Sequence, residues 1–164
     1  MNEMMRNAAQ NAVSALAEKK LTAATAESCT GGMVSKFMTD VSGSSAVFNG
    51  GIVSYANSVK ENVLGVKHET LEKYGAVSEN TAKEMCEGAR KLLSTDIAVS
   101  TTGIAGPTGG TPEKPVGTVC FGICSANGTK TYTEHFGENL SRNEIRHKAT
   151  AFALELISDA AKSL

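Results

Sequence analysis

The sequence has no tryptophan, and no apolar run approaches the roughly 18 to 20 residues that a membrane-spanning helix needs. The first seven residues contain no apolar stretch, so we expect no secretory signal there. Lysine and arginine form no block, and 16 basic against 17 acidic residues give a formal net charge of -1. We therefore expect a cytoplasmic protein that binds neither nucleic acid nor membrane.

Paired metal-ligand and redox motifs are also missing. The spacing of Cys120 and Cys124 matches no CxxC pair, and four residues along a predicted strand separate them by about 13 Å. That distance is too long for a disulfide or a shared metal ion. We interpret Cys86, Cys120 and Cys124 as residues of the core. The three histidines lie far apart in sequence, so we expect no metal site and no cofactor.

Hydrophobic periodicity predicts one domain over residues 1–164, with helices and strands in alternation. We expect an α/β fold: a three-layer α/β/α domain whose mixed, mostly parallel sheet ends in an antiparallel hairpin. Predicted strands cover residues 21–27, 48–55, 96–101, 116–124 and 129–136. Predicted helices cover residues 7–19, 57–64 and 68–74, a segment that ends near Thr39, one opened by the cap Ser78 and one that starts near Arg142. Asn127 and Gly128 predict the hairpin turn.

Ser28 is the first residue that suggests chemistry, because it lies where a predicted buried strand meets a predicted helix. N–H groups at a helix start lack acceptors and carry partial positive charge, so they can bind a phosphate or an oxyanion. Capping of the helix by Ser28 or Thr30 explains the same pattern without any function. Cys29 is a second candidate nucleophile, as a thiolate near a helix amino terminus.

Lys60 and Tyr55 form the second candidate group, on a predicted strand-to-helix turn. A lysine acts as a base only when it is neutral, and its reference pKa is about 10.4. Burial would have to lower that pKa by about 3 units, which corresponds to about 4 kcal/mol. A solvated lysine beside a packed tyrosine is the structural alternative.

The third candidate segment is the glycine-rich loop at residues 101–110, directly after a predicted buried strand. Ligands of open α/β sheets bind in such loops. The loop lacks the lysine of a Walker motif and the full GxGxxG spacing, so phosphate binding and a purely structural role fit it equally well.

Taken together, five segments in order resemble the CinA carboxy-terminal domain family over nearly the whole chain. The segments are AESCTGG at 26–32, SYAN at 54–57 with Lys60 following, GAVS at 75–78, TGIAGP at 102–107 and KPVGTV at 114–119. The enzymatic members of this family are nicotinamide-nucleotide amidases of the PncC type. Here the chain is similar to the stand-alone form, which lacks the family's separate amino-terminal domain.

The resemblance implies hydrolysis of nicotinamide mononucleotide to nicotinic acid mononucleotide and ammonia, in pyridine nucleotide recycling. It implies a serine acyl-enzyme mechanism with Ser28 as nucleophile and Lys60 and Tyr55 as activators. No cofactor is implied, and the expected partners are the small nucleotide substrate and further copies of the chain, as a dimer or larger homo-oligomer. A nucleotide-binding or regulatory module without turnover remains the alternative, as does an amidase or esterase for another substrate.

Substrate contacts are assigned on the same basis. The N–H groups of Cys29, Thr30, Gly31 and Gly32 are the candidates for the oxyanion hole. Arg142 and Arg146, one helical turn apart, are candidates for the phosphate, with a solvated basic face as the alternative. Contacts to ribose and phosphate are expected from Thr102, Gly103, Ala105 and Gly106. The residues before Arg142 differ from the aspartate-arginine pair of many relatives, which weakens the assignment of Arg142 more than that of Ser28.

Overall fold

Helices and strands alternate along residues 2–164, the part of the chain that the computed structural model describes. Its α-helices are α1 (Asn2–Lys19), α2 (Met33–Thr39), α3 (Asn57–Asn62), α4 (His68–Tyr74), α5 (Glu79–Leu93) and α6 (Arg142–Ser163). The strands are β1 (Ala23–Glu27), β2 (Phe48–Val53), β3 (Ile97–Gly103), β4 (Thr118–Ser125) and β5 (Gly128–His135). A short 3-10 turn, Ser44–Ala46, leads into β2.

The five strands form one mixed sheet in the order β2-β1-β3-β4-β5. Strand β1 is parallel to both of its neighbours, β2 and β3. Strand β4 is antiparallel to β3 and to β5, so four of the five strands run in the same direction. The predicted mixed, mostly parallel sheet with a hairpin is therefore confirmed.

Helices cover both faces of this sheet. Helices α1, α2 and α6 share one apolar core with the sheet, in which Leu16, Phe121 and Leu154 are fully buried. Helix α5 packs on the other face, where Met85 and Cys86 bury a second core against β1, β3 and β4. Because the inner strands are covered on both sides, their side chains are buried without alternation. No helix within residues 2–164 is both long and apolar enough to cross a membrane.

Local sequence signals correctly predicted several boundaries of helices and strands, whereas α1 begins at Asn2 and not at residue 7. Ser78 caps α5 by accepting a hydrogen bond from the Thr81 N–H, and β4 and β5 join at the predicted hairpin turn. The start of β1 was predicted two residues too early. Lys20 adopts a positive φ of 56° and the Leu21 N–H bonds back to Leu16 O, so Leu21 belongs to the end of α1.

All four cysteines are buried and free in the described chain. The interpretation of Cys86, Cys120 and Cys124 as core residues is thus confirmed. The fourth, Cys29, lies directly after Ser28 and belongs to the site described below.

Gly88 marks the closest approach between α5 and the loop that follows α3. A Cβ atom at this position would lie 1.9 Å from Leu64 O, a backbone atom that cannot move aside freely. We expect Gly88→Ala to lower the free energy of unfolding by about 1–3 kcal/mol, although alanine favours helix by about 1 kcal/mol. Urea unfolding measures this, with Lys91→Ala on the exposed side of α5 as a control that changes stability by less than about 0.5 kcal/mol. An unchanged or raised midpoint for Gly88→Ala would contradict the close contact.

Candidate active site

Strands β1 and β2 end at the same level, beside Thr101 of the parallel strand β3, and this places the candidate residues side by side. The last residue of β1, Glu27, pairs with Val53 of β2 and with Thr101 of β3. The ladder continues one residue further on each side. The N–H of Ser28 donates to Thr101 O at 2.9 Å, and the N–H of Ser54 donates to Glu27 O at 2.8 Å. Backbone pairing therefore fixes the positions of Ser28 and Ser54 relative to each other.

Lys60 lies beneath this edge with its amine against Ser28. Its Nζ is 3.0 Å from Ser28 Oγ, 2.8 Å from Ser54 O and 3.3 Å from Tyr55 O. The chain turns at Ala56, whose carbonyl accepts the first hydrogen bonds of α3, and this turn folds Lys60 back over residues 54 and 55. The lysine is 1% exposed, and burial lowers its pKa below the ordinary value of 10.5.

The three acceptors around Lys60 match the three N–H groups of an ammonium, and a neutral amine fits the same position. A neutral amine has two N–H donors and one lone pair. If the carbonyls of Ser54 and Tyr55 accept the two N–H groups, the lone pair is left to face the Ser28 hydroxyl. Within residues 2–164 no carboxylate lies at ion-pair distance from Lys60, so no counterion stabilises its charged form. The arrangement is that of a serine nucleophile with an adjacent lysine base.

Glu27 is a buried residue of the site that sequence reasoning did not single out. Its carboxylate is 1% exposed and accepts hydrogen bonds from the start of α2. The donors are the N–H groups of Gly32, Val34 and Ser35 and the hydroxyls of Thr30 and Ser35, at 2.7–3.0 Å. Capping rules look for a polar side chain at the cap position itself, but here that position is Gly32, with a φ of 94° and no side chain. The detectable signal was an acidic residue at the end of an otherwise apolar strand.

The carboxylate of Glu27 reduces the predicted set of oxyanion donors. The Gly32 N–H is occupied by Glu27, and the Gly31 N–H donates to Ser28 O. Within residues 2–164 neither the N–H of Cys29 nor that of Thr30 donates to another residue, although the Cys29 N–H also faces its own thiol. These two groups, adjacent to Ser28 in sequence, are the ones left for a substrate oxygen.

Cys29 is wrong as a candidate thiolate. Its side chain is 5% exposed, and burial raises the pKa of the thiol to about 12. The start of α2 does not offset this effect because its N–H groups are bound to Glu27. Of the two side chains, Ser28 is the one that contacts the Lys60 amine.

The two arginines of α6 contact the site loops and do not form a solvated basic face. The Arg146 guanidinium is half-buried and donates to Cys29 O at 3.1 Å and Thr30 O at 3.0 Å. Arg142 donates to Gly106 O at 2.8 Å and to the Tyr55 hydroxyl at 3.0 Å. Tyr55 thus joins two parts of the site: its carbonyl contacts Lys60, and its exposed ring reaches Arg142.

Residues of the glycine-rich loop are divided between site and scaffold. The Thr102 hydroxyl is buried and donates to Ala76 O at 2.7 Å. Gly103 packs against β4, since a Cβ there would lie 2.7 Å from Thr118 O. Ala105 is buried, and Gly106 reaches the site through its bond to Arg142. The structure thus places Gly106 at the mouth of the site, whereas the Thr102 hydroxyl is hydrogen-bonded within the protein.

The protein is an α/β domain with helices on both faces of its sheet. A serine and a buried lysine meet at the ends of the strands, and these features define its class. The sequence model of the CinA C-terminal domain matches residues 5–161. The chain therefore belongs to the CinA C-terminal domain family.

Individual relatives agree with this assignment. A protein of Thermoanaerobacter pseudethanolicus is 55% identical over 142 residues, which make up 87% of this chain and 34% of that protein. The CinA-like protein of Leptospira borgpetersenii is 53% identical over 147 residues, 90% of this chain and 35% of that protein. The chain thus spans about a third of the length of these relatives.

Solved structures of similar length show the same fold. The competence/damage inducible protein CihA from Agrobacterium tumefaciens superposes with a TM-score of 0.92 at 40% identity, covering 96% of this chain and 95% of that one. A CinA superfamily protein from Klebsiella pneumoniae also gives a TM-score of 0.92, at 30% identity, covering 98% and 99%.

The raised pKa of Cys29 predicts an unreactive thiol. We expect the folded protein at about pH 8 to leave Cys29 unmodified by iodoacetamide, whereas a free thiol with a pKa of about 8.5 reacts readily. The urea-unfolded chain should take up four carbamidomethyl groups, one for each cysteine. Peptide mass mapping with time identifies the modified positions. Rapid modification of Cys29 in the folded protein would contradict the buried, protonated thiol.

Proposed function

We propose that this chain is a nicotinamide-nucleotide amidase that hydrolyses nicotinamide mononucleotide to nicotinic acid mononucleotide and ammonia. The observation that carries the proposal is the 3.0 Å contact between Ser28 Oγ and the amine of Lys60, which is buried without a counterion. The substrate comes from the family resemblance. The chemistry, acyl transfer through a serine, comes from the geometry.

Acylation begins with attack of Ser28 Oγ on the carboxamide carbon of the substrate. Lys60 in its neutral form, which the lowered pKa of this buried amine favours, takes the hydroxyl proton as the oxygen attacks. The carbonyl oxygen gains negative charge in the tetrahedral intermediate. The N–H groups of Cys29 and Thr30 are the donors that stabilise this charge.

Collapse of the intermediate breaks the C–N bond and leaves an ester on Ser28. The Lys60 ammonium returns its proton to the departing nitrogen, so that ammonia leaves as a neutral molecule. Water then attacks the ester, Lys60 takes a proton from that water, and the Ser28 hydroxyl is restored as the acid product leaves. No group outside the chain and its substrate is needed to balance these steps.

The nucleotide phosphate is assigned to Arg142. A guanidinium has five N–H donors, and Arg142 is exposed at the mouth with only two protein acceptors. Arg146 is half-buried, and its bonds to two carbonyls give it mainly a structural role in the Ser28 loop. Tyr55 connects the phosphate site with the base, since its hydroxyl bonds Arg142 and its carbonyl bonds Lys60.

The amidase proposal predicts ammonia release from nicotinamide mononucleotide by the purified chain. Ser28→Ala and Lys60→Met should each lower kcat by about 1000-fold or more, because nucleophile and base act as one unit. Ser58→Ala, an exposed serine on α3, is the matched control and should keep wild-type activity. Nicotinamide riboside, which lacks the phosphate, should be a much poorer substrate.

Two outcomes would redirect the proposal. Equal release by wild type and Ser28→Ala would remove Ser28 from the chemistry. No release by a folded wild type would favour a nucleotide-binding module without turnover, which titration with the same nucleotide would then test.

The lowered pKa of Lys60 predicts the direction of the pH dependence. The base must be neutral, so kcat/KM should rise with pH and reach its plateau below pH 10.5, the ordinary lysine value. Lys60→Arg should be inactive across the same range because a guanidinium keeps its proton. A kcat/KM that decreases as the pH rises from 6 towards this plateau would exclude Lys60 as the base.

A further inference from the structure

Glu27 is a buried carboxylate that the proposed reaction does not use. Its Oε2 accepts hydrogen bonds from the Thr30 hydroxyl at 2.7 Å and from the N–H groups of Gly32 and Val34, both at 3.0 Å. Its Oε1 accepts from both the N–H and the hydroxyl of Ser35 at 2.8 Å. These five donors lie in or just before α2, and a carboxylate so placed stabilises the positive end of a helix. The Thr25 hydroxyl on β1 also donates to Oε1, at 3.4 Å.

The backbone of Glu27 is fixed as firmly as its side chain. It is paired on both sides within the sheet, and its carbonyl accepts the Ser54 N–H. Residues 28–32 therefore form a short loop that is fixed at both ends by Glu27. Its backbone anchors the end of β1, and its carboxylate binds the start of α2. Thr30, inside this loop, is also within 2.7 Å of the Thr101 hydroxyl on β3.

We propose that Glu27 is the positioning residue of the nucleophile. By binding the start of α2, it folds residues 28–32 so that Ser28 Oγ faces the Lys60 amine and the N–H groups of Cys29 and Thr30 stay free for the substrate oxygen. The inference rests on the proposed function for the identity of the substrate. Its test does not, because it measures the reactivity of Ser28 itself.

The chemistry requires a carboxylate at this position. Both oxygens of Glu27 face donors only, whereas glutamine would turn an NH2 group towards one of these donor sets. With the amide nitrogen at either site, at least one backbone N–H of α2 loses its acceptor. We expect the loop to relax and Ser28 to leave its contact with Lys60, and displacement of a reacting atom by about 1 Å can cost about 100-fold in rate.

The test is the rate at which a fluorophosphonate labels Ser28. Ser28 Oγ forms a bond to phosphorus, fluoride leaves, and the hydroxyl proton passes to Lys60, so the probe reports the same pair without any nucleotide. We expect Glu27→Gln to label about 10- to 100-fold more slowly than wild type. Ser35→Ala, which removes one hydroxyl donor to the carboxylate, should give a smaller loss in the same direction and covers the case in which Glu27→Gln does not fold.

A stability control separates positioning from a general loss of structure. Phe37 lies on the buried face of α2 and is 6% exposed. Its hydrocarbon side chain cannot hydrogen-bond to the Glu27 carboxylate, so it serves as a control for packing alone. Phe37→Leu should lower the melting temperature while the labelling rate stays within about twofold of wild type. Equal loss of labelling in this variant, or unchanged labelling in Glu27→Gln, would overturn the proposal.

The pH profile of labelling provides a further check. The Lys60 amine contacts Ser28 Oγ and two carbonyl groups, the neighbouring Cys29 thiol is protonated, and Glu27 accepts no hydrogen bond from the lysine. The midpoint of the profile should therefore be the same in Glu27→Gln and wild type, with only the plateau lowered. A midpoint shifted by about one pH unit or more would make Glu27 an electrostatic partner of Lys60 and overturn its positioning role.

The two proposals fail in different ways. If fluorophosphonate labels Ser28 in wild type and slows in Glu27→Gln, the positioning role stands even where nicotinamide mononucleotide is not hydrolysed. If the nucleotide is hydrolysed, Glu27→Gln should reduce kcat by a similar factor and leave KM within about threefold.

Discussion

The pairing of β1 with two parallel neighbours is the constraint on which the site depends. Parallel strands that end together bring distant segments of the chain to one edge of the sheet, which is where α/β proteins bind ligands. In this protein the ladder extends past the strand ends, so that Ser28 bonds Thr101 and Ser54 bonds Glu27 through the backbone. The relative position of Ser28 and Lys60 is thus set by backbone hydrogen bonds at the edge of the sheet and at the turn after Ser54.

The buried carboxylate of Glu27 and the buried amine of Lys60 lie near the same edge of the sheet but bind different partners. The one fully buried carboxylate of the site is bound to the helix start, and the buried lysine is left with neutral carbonyl acceptors. Had Glu27 paired with Lys60, the pair would have favoured the ammonium and raised the pKa of the lysine. The fold instead uses the negative charge for structure and keeps the amine able to give up its proton.

The sequence predicts the layers and strands of the fold, but few of the side-chain contacts in the site. Alternating elements, the Ser78 cap and the Asn-Gly turn carry local signals, so the layers and the hairpin could be predicted. The proximity of Ser28 and Lys60 followed only from the resemblance, because 32 residues separate them and no local pattern links them. The role of Glu27 could not be predicted, since it caps a helix from six residues away across two glycines. Arg146 was assigned to phosphate because spacing shows a shared helix face but not the carbonyl groups that such a face contacts.

The bridge between Tyr55 and Arg142 bears on how substrate enters. Tyr55 is 61% exposed, and its hydroxyl is held across the mouth by a single hydrogen bond to an exposed guanidinium. A single exposed hydrogen bond of this kind contributes at most about 3 kcal/mol, so it can break without disturbing the fold. The amine of Lys60 is held by main-chain atoms and is untouched by this motion. The side chain of Tyr55 at the mouth and the Ser28–Lys60 contact beneath it therefore depend on separate hydrogen bonds, so the mouth can widen while that contact is kept.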